Sequence, residues 1–175
     1  TSNNALGTTA AGTTVASSAT LDFQGVAYST TEAITLNGGT LKTSVGTSSF
    51  AGGVTLGASS FFDVTSSQLT LSGDINDGIS AFGFTKTGSG KVVLSGVNTH
   101  KGGTTINSGI LSISSGSAIN ASSSPVGLIL AGGTLEATNA VSLDTLVTVT
   151  ADSGISTVTP NGLITLNSQM RSAGH

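Results

Sequence analysis

Apolar and polar residues alternate along this chain in runs of three to five, and Gly, Asn, Asp or Ser closes most of them. Clear examples are Ile34-Thr35-Leu36, Val54-Thr55-Leu56, Leu69-Thr70-Leu71, Val92-Val93-Leu94 and Leu163-Ile164-Thr165-Leu166. A period of two places successive side chains on opposite faces of a strand, so the pattern predicts many short strands. Further runs at Thr20-Leu21-Asp22-Phe23, Phe61-Phe62-Asp63-Val64, Ile110-Leu111-Ser112-Ile113 and Leu146-Val147-Thr148-Val149 extend it. Helix signals are poor, with one weak candidate near Ser168-Gln169-Met170-Arg171.

Short strands and short turns fit either an antiparallel sandwich or barrel, or a parallel β-helix. Asn37-Gly38, Asp77-Gly78 and Asn161-Gly162 are hairpin-type turns, so both architectures stay open on turns alone. Internal similarity favours the β-helix. Ile34–Lys42 resembles Leu128–Glu136 through a shared Gly-Gly-Thr-Leu, Leu69–Ile75 resembles Val92–Asn98, and Gly12–Ser17 resembles Gly103–Ser108. Read as equivalent positions on successive coils of about 20 residues, these units predict about eight rungs and a length of about 40 Å. The chain is taken as one unit over 1–175, an open-ended all-β solenoid.

Composition sharpens this picture. Charged residues are 7% of the chain, against a usual share of about 25%. Rungs of parallel strands stand about 4.8 Å apart, where stacked like charges repel and stacked hydroxyls or amides can bond. Aromatics are 4% and Trp is absent, which predicts a thin, aliphatic core. Val15, Leu36, Leu56, Leu71, Leu94, Ile106 and Leu130 are its expected members. The five basic residues, Lys42, Lys86, Lys91, Lys101 and Arg171, are scattered, which argues against a nucleic-acid partner. No apolar run approaches the ~18–20 residues of a membrane-spanning helix, so membrane insertion by this segment is not expected. Cysteine is absent, which favours export in an unfolded state and excludes thiol chemistry. Thr1-Ser2-Asn3-Asn4 has no signal-peptide character and reads as a cut inside a larger polypeptide.

Residues 84–113 carry a denser motif. Lys86, Gly88, Gly90, Leu94-Ser95-Gly96, Asn98-Thr99 and Gly102-Gly103-Thr104 stand in one run that ends at Gly109-Ile110-Leu111. This run resembles the autotransporter-associated β-strand repeat found in passenger regions of bacterial autotransporters and large adhesins. It departs from that pattern at Lys91 and Val92, where Thr-Leu is usual, and at His100, where Tyr is usual. The resemblance implies a right-handed parallel β-helix on the outside of a Gram-negative cell. It brings no catalytic residues with it.

Several groups could carry chemistry and are weighed against plainer readings. Asp74-Ile75-Asn76-Asp77-Gly78 has three oxygen side chains at calcium-like spacing but lacks a distal Glu, so a self-bonded turn is preferred. His100 and His175 are candidate bases without a framing Ser or Asp motif. Sugar hydrolysis would need two carboxylates in one cleft, and Glu32, Asp63, Asp74, Asp77, Asp144 and Asp152 are dispersed, Asp74 and Asp77 being nearest in sequence. Gly88-Ser89-Gly90-Lys91 lacks the spacing of a phosphate loop. Thr148, Thr150, Thr157 and Thr159 hint at an ice-binding plane with drifting spacing.

The expectation is a non-enzymatic structural segment of an extracellular surface fibre or adhesin, with no cofactor, metal or catalytic residue. Its expected partners are neighbouring repeats or other copies of itself. The alternatives are a glycan- or receptor-binding module and, less favoured, a β-helical polysaccharide lyase or hydrolase.

Overall fold

The computed structural model describes Leu6 and residues 11–119, 126–160 and 162–172. The chain winds in coils. The first holds β1 (Thr13–Val15), β2 (Thr20–Asp22) and β3 (Ala27–Tyr28); the second β4 (Ile34–Asn37), β5 (Thr40–Thr43) and β6 (Thr47–Phe50). The third holds β7 (Val54–Ala58), β8 (Ser60–Val64) and β9 (Gln68–Leu71); the fourth β10 (Ile75–Asn76), β11 (Phe84–Thr87) and β12 (Lys91–Leu94). Two coils then have two strands each: β13 (Thr104–Ile106) with β14 (Ile110–Ile113), and β15 (Leu128–Leu130) with β16 (Thr134–Ala137). The seventh returns to three, β17 (Val141–Leu143), β18 (Val147–Val149) and β19 (Gly154–Thr157), and β20 (Ile164–Leu166) and β21 (Met170–Ser172) begin an eighth.

Among the described residues every strand pair is parallel. The strands build three faces. The first runs β1-β4-β7-β10 and, after two coils, resumes as β17-β20; the second is an eight-stranded ladder from β2 to β21; the third is a seven-stranded ladder from β3 to β19. No α-helix occurs among the described residues, and a short 3₁₀ turn (Gly116–Ile119) follows β14. This is the parallel β-solenoid that the strand pattern predicts. At the usual strand spacing the second face is roughly 35 Å tall.

The pleat sorts each face into inward and outward ranks. On the first face Thr14, Thr35 and Thr55 stack outward, between inward ranks that contain Ile34, Val54 and Ile75 on one side and Val15, Leu36 and Leu56 on the other. On the second, Thr20, Thr40, Phe61, Thr85, Thr105, Ile129 and Thr148 stack outward. All seven expected core aliphatics are buried. Each fully buried Leu, Ile or Phe contributes roughly 1.5–3 kcal/mol by leaving water, and repetition along the axis makes the interior one continuous column.

Four expectations need correction. The core is not purely aliphatic. Phe23, Tyr28 and Phe50 cluster with ring centroids 5.7 to 6.4 Å apart, and Phe62 stacks on Phe84 at 4.5 Å. The hairpin-type turns do not make hairpins: Asn37-Gly38 is a corner between β4 and β5, which lie on different faces, and Asp77-Gly78 lies in the loop between β10 and β11. Asn161 lies outside the described residues. The weak helix candidate is instead strand β21, held by pairing with β18. Finally, most of the internal similarity is out of phase with the coils. Leu69–Leu71 and Val92–Leu94 do stack on each other. Gly38-Gly39-Thr40, however, turns from the first face to the second, whereas Gly132-Gly133-Thr134 turns from the second to the third. All three corners of a triangular coil make the same demand, a tight turn into a new strand, so the same short phrase serves at each.

The two ends differ. In the first coil Val15, Phe23 and Tyr28 are buried, Leu6 packs against the core, and its N–H donates to the Tyr28 hydroxyl. At the other end Ile155, Leu163 and Met170 are exposed, while Ile164 and Leu166 are half-buried.

Candidate functional site

Residues 84–113 start on β11, run through β12 and β13 and finish on β14, so the dense motif spans a little more than one turn in the middle of the column. Lys86 sits in the inward rank of the second face, between Phe62 below and Ile106 above, and is fully buried. Its Nζ donates to the carbonyls of Thr87 (2.6 Å), Gly88 (2.7 Å) and Ser108 (3.2 Å). Burial pushes its pKa down to about 8, against the pull of the Asp63 carboxylate. The ammonium therefore ties the corner of its own coil to the corner of the next. Gly109 makes that approach possible. Its φ is +66°, and a Cβ there would lie 2.4 Å from the Gly88 and Gly90 carbonyl oxygens and 2.9 Å from Lys86 Nζ.

On the first face the fifth coil has no strand, and Asn98 takes over the bridging. It is buried; its Oδ1 accepts from Ile75 N–H at 2.8 Å, its Nδ2 donates to the Ala118 carbonyl, and its own N–H donates to the Ser117 carbonyl at 3.0 Å. One side chain thus links three levels where the backbone ladder is interrupted. His100, two residues on, is fully buried with its ring 5.2 Å from Phe84, and so extends the Phe62–Phe84 stack. An imidazole fills the place where an aromatic ring is usual. Its Nε2 lies 3.0 Å from Thr104 Oγ1, and its Nδ1 is buried without a partner. Desolvation pushes its pKa down to about 4, with Asp77 pulling the other way, so the ring is neutral at pH 7. It sits inside the core, away from solvent.

The acids serve the neighbouring coil. Asp74 Oδ1 accepts from Val97 N–H at 2.8 Å. Asp77 Oδ2 accepts from Phe82 N–H (3.1 Å) and Lys101 N–H (2.7 Å), and its Oδ1 stands 3.6 Å from Lys101 Nζ. The candidate calcium segment is therefore a pair of carboxylates flanking β10 and engaged by the coil above. Glu32 is buried and accepts from Thr13 Oγ1 at 2.7 Å, whereas Asp152 is exposed. Asp22, Lys42, Asp63 and Thr87 stack as one outward rank of alternating character, with Lys42 Nζ 3.0 Å from Asp63 and Thr87 Oγ1 3.2 Å from it. Burial opposes the charge of Asp22, yet bonds from Ser44 and Gln24 hold its carboxyl below the usual range. Lys91 reaches diagonally across two coils to Glu136, at 2.7 Å. Three ion pairs, Lys42–Asp63, Lys91–Glu136 and Lys101–Asp77, thus join charges on different coils.

Gly88-Ser89-Gly90-Lys91 is the corner between β11 and β12, where Gly90 N–H donates to the Val64 carbonyl at 2.8 Å. Thr148 is on the second face and Thr157 ends β19 on the third, so the threonines proposed for ice do not share a plane. His175 lies outside the described residues. Among the described residues no group of three or more His, Cys, Asp or Glu is placed to hold a metal ion. Sequence reasoning missed the bridging of Asn98 and the burial of Lys86. Their signal was the fixed order of the motif, in which both side chains bond to main chain.

Comparison with known proteins agrees with this geometry. The passenger-associated-transport-repeat family matches residues 84–113. Over 162 residues the chain is 32% identical to the adhesin BmaC autotransporter of Brucella suis biovar 1 (strain 1330), a match covering 89% of this chain and 4% of that protein. The chain thus spans a small fraction of the length of its relative. No solved structure matches it.

Proposed function

We propose that this chain is a rigid spacer in a bacterial surface adhesin, a stretch of stalk held outside a Gram-negative cell, on the premise that residues 84–113 match the passenger-associated-transport-repeat family. The observation that carries the reading is how the repeat uses its polar residues. Lys86 and Asn98 each bond to the main chain of an adjacent coil, and Asp74 and Asp77, just before the repeat in sequence, accept from its Val97 and Lys101 N–H. Such bonds secure stacking, and stacking produces length. The similarity to an autotransporter adhesin supports a surface location and a non-enzymatic role. Ile155 and Met170, which stack on buried Leu135 and Val147 and are themselves exposed, suit cover by a coil in the same register.

The test is electron microscopy and fibre diffraction of the intact surface protein that contains this chain. The reading expects slender unbranched rods with a meridional spacing of about 4.8 Å. Compact particles without that spacing would refute it.

A further inference from the structure

On the first face the sixth coil has the 3₁₀ turn Gly116–Ile119 where the first four coils and the seventh have a strand, so β17 pairs along one edge, with β20. In a parallel ladder successive residues bond alternately to the two sides. Val141 N–H donates to Leu163 O at 2.7 Å, and Leu143 O accepts from Asn167 N–H at 2.9 Å, both toward β20. The N–H and C=O of Ser142 consequently face the 3₁₀ turn. Gly116 abuts that edge so closely that a Cβ on it would stand 2.1 Å from Ser142 O.

A groove of about 260 Å³ opens here, lined by residues 114–117 and 140–145. The Ser115 and Ser117 hydroxyls stand 2.9 Å apart at one side, and Asp144, its Oδ1 accepting from Asn167 Nδ2 at 2.8 Å, stands at the other. Thr145 is 3% exposed, lines the groove, and leaves Oγ1 without a hydrogen-bond partner.

The lining selects a ligand chemistry. No Lys or Arg lines the groove and one carboxylate does, which disfavours phosphate, sulfate and acidic sugars. A single carboxylate is a poor cage for a cation. The volume is below the ~300–1,000 Å³ of sites for drug-sized ligands. A neutral sugar ring fits: its hydroxyls both donate and accept, matching the serine hydroxyls and the one carboxylate. Its C–H face can rest on Ala140. We propose that this groove binds one neutral sugar residue, with Asp144 accepting from adjacent ring hydroxyls and the Ser115 and Ser117 hydroxyls completing the contact. This goes beyond the spacer reading, which stands or falls on rod geometry independently of any ligand.

The experiment is an amide-resolved NMR titration of the 175-residue chain with methyl glycosides of neutral hexoses and N-acetylhexosamines, and with sialyl lactose as the charged comparator. At least one neutral glycoside should give saturable shifts confined to residues 114–117 and 142–145. Ser142→Phe, which fills the groove from the outward pleat, and Asp144→Ala should each weaken binding at least about tenfold while melting is unchanged. Arrays of host-type glycans and of bacterial polysaccharides then distinguish the two sources of such a residue. If Ser142→Phe disturbs folding, the exposed Asp144 carries the test alone. Absence of saturable shifts, shifts that persist in Asp144→Ala, or preference for the sialylated probe would overturn the proposal.

Discussion

Replacing Asn98 with Ala removes both arms of the bridge across the interrupted face. Ile75 N–H loses the acceptor at 2.8 Å, and the Ala118 carbonyl loses the Nδ2 donor. Asn98 is 2% exposed, so water does not readily replace either partner. An orphaned buried group costs about 1–3 kcal/mol, and two of them with the void give about 3–5 kcal/mol. That is a large share of a stability of the usual ~5–15 kcal/mol. In a solenoid each coil contacts mainly its neighbours, so the loss should be concentrated around the fourth to sixth coils. Urea denaturation followed by circular dichroism measures the total, and hydrogen exchange at the Ile75 amide measures the local part. Asn98→Asp is the informative partner: it keeps the acceptor for Ile75 but removes the donor to Ala118 and buries a charge. It should be at least as damaging as Asn98→Ala at pH 7 and recover partly as the pH falls. A loss below about 1 kcal/mol in Asn98→Ala, with Ile75 still protected, would refute the bridging role.

His100, whose pKa falls to about 4 in the folded state, should make stability pH-dependent. Below about pH 6.5 the unfolded chain takes up a proton that the folded chain refuses, so stability falls toward pH 4 by roughly 3 kcal/mol at most; His100→Phe should lack that component, as read from the difference between their pH–stability curves. Lys86→Met leaves three carbonyls without their ammonium and should destabilise by about 1–3 kcal/mol in urea titrations, lost charge-assisted bonds outweighing relieved desolvation. With a folded pKa near 8 and an unfolded value of 10.5, Lys86 should also make wild-type stability rise with pH across that window relative to Lys86→Met. Gly109→Ala should destabilise by more than the ~1 kcal/mol typical of a point substitution, because φ is +66° and its Cβ would lie 2.4 Å from two carbonyl oxygens; a melting curve unchanged from wild type would contradict this.

Much of the fold was legible because a period of two with turn residues at short intervals leaves little choice beyond stacked short strands. The inward ranks could be named from it, as Leu36, Leu56 and Ile106 illustrate. Coil phase was not legible, since Gly-Gly-Thr-Leu describes a corner and a solenoid coil has three. Nor was the direction of Lys86, because a lysine is ordinarily sent outward and its inward acceptors are main-chain carbonyls, of Thr87 and Gly88 at its own corner and of Ser108, 22 residues later, which side-chain patterning does not mark. The bridge at Asn98 was hidden for the same reason: its partners, Ile75 and Ala118, are distant in sequence and adjacent after winding. The aromatic stack was underestimated because low abundance was read as absence from the core, whereas the few rings present are collected into two groups. The groove beside Ser142 depends on a missing strand in the sixth coil, which no local pattern marks.

The account rests on parallel winding with a rung about every twenty residues. Through-space NMR contacts test it most directly at Val92, whose neighbours should be Leu69 on one side and Leu111 on the other. Contacts from Val92 to both, in the pattern of parallel strands, are the predicted result. Antiparallel contacts between β11 and β12, consecutive in sequence, would contradict it.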